Sequence, residues 1–368
     1  MKKDFNDKKN WKNKVFCLIF MIFLVAFLVL SVITPDKDVS ESERRKLTQA
    51  PKITFKTVFN GKYYEELDKY LVDQFPFRDN FRKLKGIISN KIFLNRFDND
   101  VFIENGRIYQ VNFDLDQESV EYLLDLINQI IRENIKSEKI YYSIIPDKNY
   151  YLDKRNFPTM DYEKMLELMK NGLKDACYIP LFDCLNLDSY YTTDIHWKQE
   201  ELFGVLNTLG EYMNFNSDMP KEAKRLDGFY GSLYSKISSN VKSDSIVYLC
   251  NDTILQAKVF DYEKDEYISV YNESLFTSID PYNIYLGGAK PLLVIENENC
   301  SSDRELVLFR DSFASSISPL LIENYKKITM IDLRYFSSSL LENIEFNENQ
   351  EILFLYSTTV INNSYSMR

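Results

Sequence analysis

The sequence predicts an α/β ectodomain with a three-layer, mostly parallel sheet, tethered to a membrane by one N-terminal helix. Three observations predict this architecture: an uncharged apolar stretch near the N-terminus, short apolar runs that alternate with helical patterns after residue 100, and a composition that supports a large core. Apolar residues make up 45% of the 368, including 26 Phe and 26 Tyr. Chains of this composition fold into a packed core and are not disordered.

The N-terminal segment has the pattern of a membrane anchor. Residues 1–14 carry six lysines and two aspartates, and residues 15–33 carry no charge. Nineteen helical residues span about 28 Å, close to the hydrocarbon thickness of a bilayer. The lysines indicate that residues 1–14 stay in the cytoplasm and that the chain after Pro35 lies outside. The alternative is a cleaved signal peptide, but that usually has a shorter apolar region and a small-residue cleavage site, which "SVITPDK" does not provide.

After the anchor the sequence predicts two regions. Residues 34–100 are polar, and the apolar positions between Tyr64 and Leu71 repeat at three and four residues, as in an amphipathic helix. The proline of "QFPFRD" is expected to end that helix. We interpret residues 34–100 as a stalk whose helices lead into an ectodomain formed by residues 101–368.

Residues 101–368 alternate between strand and helix patterns. They predict, in order, a hairpin at "VFIENGRIY", a helix over 119–135, a strand at "KIYYSIIP", a helix over 162–174, a strand at "YIPLFD" and a helix over 197–213. Four apolar runs follow, "PLLVIEN", "ELVLFR", "KITMIDLRYF" and "EILFLYS", with a helical pattern in "DSFASSISPLLIENY" between the second and third. Short β-branched runs that alternate with helices are typical of buried strands in a mostly parallel sheet.

Charge and cysteine patterns argue against two classes of site. The net charge is −10 and no Lys/Arg stripe follows the N-terminal tail, so we expect no nucleic-acid partner. Cys17 lies in the anchor, and the other cysteines (Cys177, Cys184, Cys250 and Cys300) allow three pairings between which the sequence does not choose. Their spacing is not that of a metal site, and we expect neither a metal nor a cofactor.

The single histidine lies in "YYTTDIHW", after a predicted strand and before a predicted helix. In open α/β sheets such loops at the carboxyl ends of strands carry the chemistry. Asp194 and His196 are two residues apart, so the carboxylate can reach Nδ1–H, fix the tautomer and stabilise the imidazolium. The competing interpretation is that Asp194 caps the following helix and His196 is a partly buried polar residue.

A nucleophile is predicted in "ELVLFRDSFASS". This segment runs from an apolar strand into a helix through Asp311 and Ser312. A serine on that turn projects its hydroxyl above the sheet, and its N–H at a helix N-terminus can hold an oxyanion. Asp and Ser are also the commonest N-cap residues, so capping is the alternative.

Together these motifs resemble a known family. "YYTTDIHW" followed by "LVLFRDSFASSISPLL" is similar to the DHHW-type branch of the SGNH hydrolase-like superfamily, which is related to the AlgX/AlgJ-type polysaccharide O-acetyltransferases. The resemblance extends over most of the ectodomain through "SESERRKLTQAP", "YLVDQFPFRDNF", "SIIPDKNYY", "GFYGSLYSK", "DPYNIYLGGAKPLLVIEN" and "ITMIDLRYF".

The resemblance implies Ser312 as nucleophile, His196 as base and Asp194 as the partner that orients it. The chain departs from the family pattern at Ile195, which replaces the first histidine of the motif. It also departs after "LGG", where the family often has an asparagine and this chain has alanine. If that asparagine donates to the oxyanion in the family, the backbone amides of Gly287 or Gly288 are the expected substitutes.

The implied function is covalent acyl transfer in a single-pass cell-membrane protein with an extracytoplasmic catalytic ectodomain. The resemblance implies a polysaccharide acceptor and an acetyl donor supplied by a membrane-bound O-acyltransferase. Two alternatives stay open from the sequence. The same three residues can serve a carbohydrate esterase, and the chain can be a non-catalytic glycan-binding or scaffold subunit in which Ser312 and His196 only cap helices.

Overall fold

The computed structural model describes residues 2–40, 43, 45–91, 97–98, 100–216, 218–237 and 241–368. The chain forms two compact units. One comprises Met1–Asn95 with Ser238–Asn240, and the other comprises Arg96–Ile237 with Val241–Arg368.

The first unit is dominated by a long helix, α1 (Lys2–Ile33). Within the described residues it contains one stretch long and apolar enough to cross a membrane, Asn13–Ile33, with a mean hydropathy of 3.2 and no burial. A short hairpin and three helices follow: β1 (Val39–Ser40), β2 (Arg45–Lys46), α2 (Phe55–Phe59), α3 (Lys62–Asp73) and α4 (Arg78–Lys91). The amphipathic helix expected around Tyr64 is α3, which ends before Pro76 because proline cannot continue a helix.

The second unit contains the large sheet and its helices. Its strands are β3 (Phe97–Asp98), β4 (Val101–Glu104), β5 (Arg107–Gln110), β6 (Ile140–Ile145), β7 (Cys177–Ile179), β8 (Glu222–Phe229), β9 (Asp244–Cys250), β10 (Lys258–Asp261), β11 (Glu266–Ile268), β12 (Leu292–Glu296), β13 (Glu305–Arg310), β14 (Lys327–Ile331) and β15 (Glu351–Ser357). Its helices are α5 (Gln117–Glu133), α6 (Tyr162–Gly172), α7 (Phe203–Met213), α8 (Asp252–Gln256), α9 (Ala314–Leu321) and α10 (Thr358–Ile361).

Eight strands form the central sheet in the order β11-β10-β12-β14-β13-β15-β6-β7. The five strands from β14 to β7 pair in parallel, and β12, β10 and β11 add an antiparallel edge. Alternate residues of β13 enter opposite cores: Leu306 and Leu308 pack with α7 and α9, and Val307 and Phe309 pack with α5 and α6. The predicted three-layer, mostly parallel α/β fold is therefore confirmed.

Four elements differ from their predicted form. The strand predicted at "YIPLFD" is only the short β7, which ends at Ile179, and a single 3-10 turn, Phe182–Cys184, follows it. The run "PLLVIEN" is a strand, β12, but it pairs antiparallel with β14, since an apolar run does not encode strand direction. The helix predicted over 197–213 begins only at Phe203, because residues 190 and 197 pair across the loop that carries Asp194 and His196. The helix predicted from Asp311 begins at Ala314, which leaves Ser312 on a turn.

Candidate functional site

Ser312 lies on the turn between β13 and α9, and Asp311 fixes that turn. The Asp311 carboxylate is buried and accepts the N–H of Phe313 at 2.9 Å and the N–H of Ser357 at 2.7 Å. The second bond joins the turn to the carboxyl end of β15, next to β13 in the sheet. The N–H of Ser312 itself donates to no described residue, so it is free to donate to a ligand beside the hydroxyl.

His196 is presented by a tight loop. Tyr190 and Trp197 pair as an antiparallel bridge, and the N–H of Tyr191 donates to the carbonyl of His196 at 3.2 Å. Inside the loop, Asp194 Oδ1 accepts the backbone N–H of His196 at 2.9 Å and contacts its Nδ1 at 2.5 Å. The hydroxyl of Ser312 lies 2.8 Å from Nε2 on the other side of the ring.

This hydrogen-bond network assigns the tautomer of His196. Asp194 is a carboxylate and only accepts, so Nδ1 carries the proton and Nε2 has the lone pair that accepts the Ser312 O–H. Asp194 is 1% exposed and His196 is 6% exposed, so the pair is almost entirely out of water. The structure brings the three predicted residues into one continuous chain from carboxylate to hydroxyl.

Aromatic residues hold the imidazole in this position. The ring of Tyr282 stacks on that of His196, with centroids 3.9 Å apart and planes within 6°, and Phe313 packs at 4.8 Å. The hydroxyl of Tyr282 donates to Ser316 Oγ at 2.9 Å. Trp197 Nε1 donates to the carbonyl of Phe313 at 3.0 Å and to Ser316 Oγ at 2.9 Å. Trp197 is thus a packing residue whose hydrogen bonds fix the two elements that carry the site.

Gly231 leaves space for the backbone to pack closely against the Oδ2 side of Asp194. The N–H of Ser232 donates to Asp194 Oδ2 at 2.5 Å, and the N–H of Gly231 donates to Thr193 Oγ1 at 2.9 Å. A Cβ at Gly231 would lie 2.2 Å from the Cβ of Asp194 and 2.4 Å from Oδ2. Only glycine permits this approach, so the "GFYGSLYSK" segment shapes the site from a position that sequence spacing alone did not reveal.

A buried lysine supports the same loop. Lys148 follows β6 and is 3% exposed. Its ammonium donates to the backbone carbonyls of Asp194 at 2.7 Å, Tyr191 at 3.0 Å and Thr192 at 3.4 Å. Burial lowers the pKa of Lys148 to about 7, against the opposing effect of nearby carboxylates. The charged groups that act on it are Asp194, Asp244, Arg107 and Asp147.

The two glycines predicted as oxyanion donors lie on a tight turn. Gly287 and Gly288 have φ values of +70° and +90°, a region that L side chains rarely adopt. The N–H of Gly288 donates to the carbonyl of Tyr285 at 3.0 Å, and a Cβ there would lie 2.2 Å from Asn283 Oδ1. Among the contacts of the described residues, none joins either glycine to Ser312, and their role stays a prediction.

A small cleft lies beside the site at the carboxyl ends of the parallel strands. The cleft is narrow, with room for about one water molecule, and includes Ile195 and Phe313, the neighbours of His196 and Ser312. Its other lining residues are Gln110, Asn112, Asp147, Lys148, Asn149, Leu233 and Thr359. In the described part of the chain, no group of three or more His, Cys, Asp or Glu side chains is placed to hold a metal, and the five cysteines are free thiols.

Comparisons place the fold among solved structures. No protein-family model matches the sequence, and no curated protein matches it. A DHHW family protein from Eubacterium siraeum superposes with a TM-score of 0.57 at 17% identity, covering 72% of this chain and 93% of that one. PatB1 from Bacillus cereus gives 0.56 at 17%, covering 71% and 96%, and its sulfonyl adduct gives 0.53 at 18%, covering 71% and 95%. The chain therefore has the fold of a DHHW family protein, which confirms the motif resemblance at the level of the fold.

Proposed function

We propose that this protein is an extracytoplasmic serine acyltransferase that O-acetylates a cell-surface or secreted polysaccharide through an acyl-Ser312 intermediate. One observation carries the proposal: Ser312 Oγ lies 2.8 Å from Nε2 of a histidine whose Nδ1 contacts a buried carboxylate. This is the arrangement that converts a weakly nucleophilic hydroxyl into an attacking group.

In the first half-reaction His196 acts as base. It accepts the Ser312 proton at Nε2 while Oγ attacks the carbonyl of an acetyl ester, and Asp194 stabilises the imidazolium that forms. We infer that the N–H of Ser312, which donates to no residue in the described part of the chain, donates to the developing oxyanion. When the tetrahedral intermediate collapses, the leaving oxygen takes the proton from His196 and the acetyl group remains on Ser312.

In the second half-reaction a sugar hydroxyl replaces the leaving group. His196 accepts its proton, the sugar oxygen attacks the acyl-serine carbonyl, and Ser312 recovers the proton as the new ester departs. Every proton in this sequence passes through Nε2 of His196, and the chain has no second histidine to replace it.

The proposed cellular setting follows from the N-terminal helix and the motif resemblance. We infer that α1 is retained as a single-pass anchor, with the catalytic ectodomain outside the membrane. The acetyl donor would then reach Ser312 from a membrane-bound O-acyltransferase partner. Contacts of Phe27 with Phe75 and Phe81 support retention of α1, because those residues pack together within the first unit.

A carbohydrate esterase would use the same three residues, with water in place of the sugar hydroxyl. A non-catalytic scaffold does not need the hydroxyl and the imidazole within reach of each other, and a separation above about 5 Å is expected for that class. The observed 2.8 Å supports an enzyme.

The test uses the full chain in detergent or lipid nanodiscs with p-nitrophenyl acetate and candidate oligosaccharides. We expect acetylated oligosaccharide, detected by mass, and its loss in Ser312→Ala and His196→Ala. Ser318→Ala is the matched control, because among the described residues its buried hydroxyl bonds the carbonyl of Ala314 in its own helix, α9, at 2.7 Å. Hydrolysis without transfer to any glycan would instead establish an esterase. If turnover in Ser312→Ala and in His196→Ala equals that of wild type, the proposal that the protein is an enzyme with this site is overturned.

A further inference from the structure

An aromatic cluster joins the apolar helix of the first unit to the turn between α3 and α4. The Phe75 ring stacks on Phe27 of α1 with centroids 5.4 Å apart and planes within 10°, and Phe81 packs on the same ring at 6.0 Å. Phe75 and Phe81 also contact each other at 5.9 Å. We name residues 75–81 the aromatic turn.

The position of Phe27 sets the depth of this cluster. The apolar stretch Asn13–Ile33 has 21 residues, or about 31 Å of helix, which matches the hydrocarbon thickness of a bilayer. Phe27 lies about 9 Å inside the outer end of that helix, and its side chain leans further toward the N-terminus. A ring 5.4 Å from Phe27 therefore lies at least about 4 Å inside that end, whichever direction the contact takes.

Polar contacts occur just before the aromatic turn, at the level where α1 ends. The Tyr70 hydroxyl donates to Asp36 at 3.1 Å, and the Gln74 side chain bonds both the N–H and the carbonyl of Lys37 at 3.0 Å. Asp73 accepts the N–H of Thr48 at 2.9 Å. The chain that leaves α1 is thus fastened to the end of α3, so the residues that follow are held next to the apolar helix.

The turn and the start of α4 present apolar side chains that protein covers only in part. Phe77 is 59% exposed, Phe81 is 43% exposed and Leu84 is 50% exposed. Phe81 and Leu84 are three residues apart and share one face of α4. Three backbone N–H groups are bonded within the turn: the N–H of Arg78 donates to the carbonyl of Phe75 at 3.1 Å, and those of Asn80 and Phe81 donate to that of Phe77 at 2.9 and 3.1 Å. These bonds lower the cost of placing the backbone of the turn at the edge of an apolar medium, and the charged side chain of Arg78 pairs with Glu43 at 2.7 Å.

We propose that the aromatic turn is a second membrane contact, in which Phe75, Phe77 and Phe81 enter the outer leaflet beside α1. The inference rests on the retained anchor of the proposed function. The contact with α1 favours lipid as the occupant, since lipid surrounds any face of a membrane-spanning helix that protein does not cover. Two contacts side by side would fix the orientation of the first unit on the bilayer, which a single helix leaves free to rotate about its axis.

The test places a tryptophan at the turn of the full chain. Phe77→Trp is made in a Trp11→Phe background, which leaves only the buried Trp197 as constant emission. The variant is reconstituted in phosphatidylcholine vesicles with or without bromine on the acyl chains. Leu24→Trp in α1 reports whether the anchor is in the bilayer, and Tyr64→Trp, exposed near the start of α3, is the control outside it. Phe81→Trp provides a second probe if Phe77→Trp does not fold.

We expect brominated lipid to quench Phe77→Trp and Leu24→Trp strongly and Tyr64→Trp weakly. Quenching of Leu24→Trp without quenching of the turn probes would overturn the proposal, although α1 would still be a membrane anchor. The aromatic turn would then be a surface for contact with another membrane protein. Equal quenching at Tyr64 would also overturn it, because the whole unit would then lie on the bilayer. Absence of quenching at Leu24 would reject the anchor and the second contact together.

Discussion

Replacing Gly231 by alanine places a methyl group against the carboxylate that orients His196. The new Cβ would lie 2.2 Å from the Cβ of Asp194, 2.6 Å from its Cα and 2.4 Å from Oδ2. The backbone of Gly231 itself accepts alanine, since its φ is outside the left-handed region. The perturbation therefore acts on Asp194 and not on the conformation of residue 231.

The size of the expected loss in kcat follows from the overlap between the new Cβ and Asp194. An ordinary carbon contact is about 3.4 Å or longer, so Asp194 must move by about 1 Å, and its short contact with His196 Nδ1 cannot be kept. A displacement of this size in a positioned catalytic group costs about 100-fold in rate, or about 2.7 kcal/mol of activation free energy. We expect kcat for acetyl transfer to fall by about that factor while KM changes little, because substrate contacts are not altered.

The assay compares kcat and KM for acetyl transfer, together with the thermal unfolding midpoint, in wild type and Gly231→Ala. Gly204→Ala is the matched control: its Cβ would lie 2.9 Å from the carbonyl oxygen of Cys184, so it strains α7 without touching Asp194. We expect Gly204→Ala to lower the unfolding midpoint and keep kcat. If Gly231→Ala retains wild-type kcat, or loses it only in proportion to unfolding, the role assigned to Asp194 is wrong.

Three further predictions concern the supports of the two units. Lys148→Met should lower kcat. We expect wild-type activity to decline above pH 7, because the neutral amine has two N–H donors for three carbonyls, and this decline should be absent from the variant. The free energy of unfolding of wild type relative to the variant should rise from pH 7 to about 10, since only the unfolded state keeps the proton there. Asp73→Asn should cost about 1 kcal/mol of unfolding free energy above pH 4 and progressively less below it, measured by denaturant titration, because its hydrogen bonds to Arg45 hold the pKa of Asp73 well below its usual range. Trp197→Phe should lower the unfolding free energy by about 1–3 kcal/mol, because the indole N–H that donates to the Phe313 carbonyl is lost in the core, and calorimetry would measure the change.

Local patterns predicted the elements that depend on local physics. The helix expected over 119–135 is α5 (Gln117–Glu133), and the strand in "KIYYSIIP" is β6 (Ile140–Ile145). His196 and Ser312 could be paired from sequence because each follows an apolar strand, and the carboxyl ends of parallel strands meet at one edge of the sheet. The antiparallel direction of β12 could not be predicted, because it depends on which neighbour the strand meets.

The residues that support the site were missed because they act across long stretches of chain. Lys148 bonds the loop 43 to 46 residues further on, through backbone carbonyls that carry no sequence signal. The need for glycine at position 231 follows only from the position of Asp194 beside it in the folded chain. The visible clue was a lysine three residues after the end of the buried strand β6, since a charge buried at such a position needs partners.

The site of acylation in the full chain tests the proposed acyl-Ser312 intermediate. Wild type is mixed briefly with p-nitrophenyl acetate, quenched in acid and digested, and the peptide masses are compared with those of His196→Ala and Ser318→Ala. We predict one acetyl group on the peptide that contains Ser312 in wild type and Ser318→Ala, and almost none in His196→Ala. Acetylation of another residue, or equal labelling of Ser312 without His196, would contradict it.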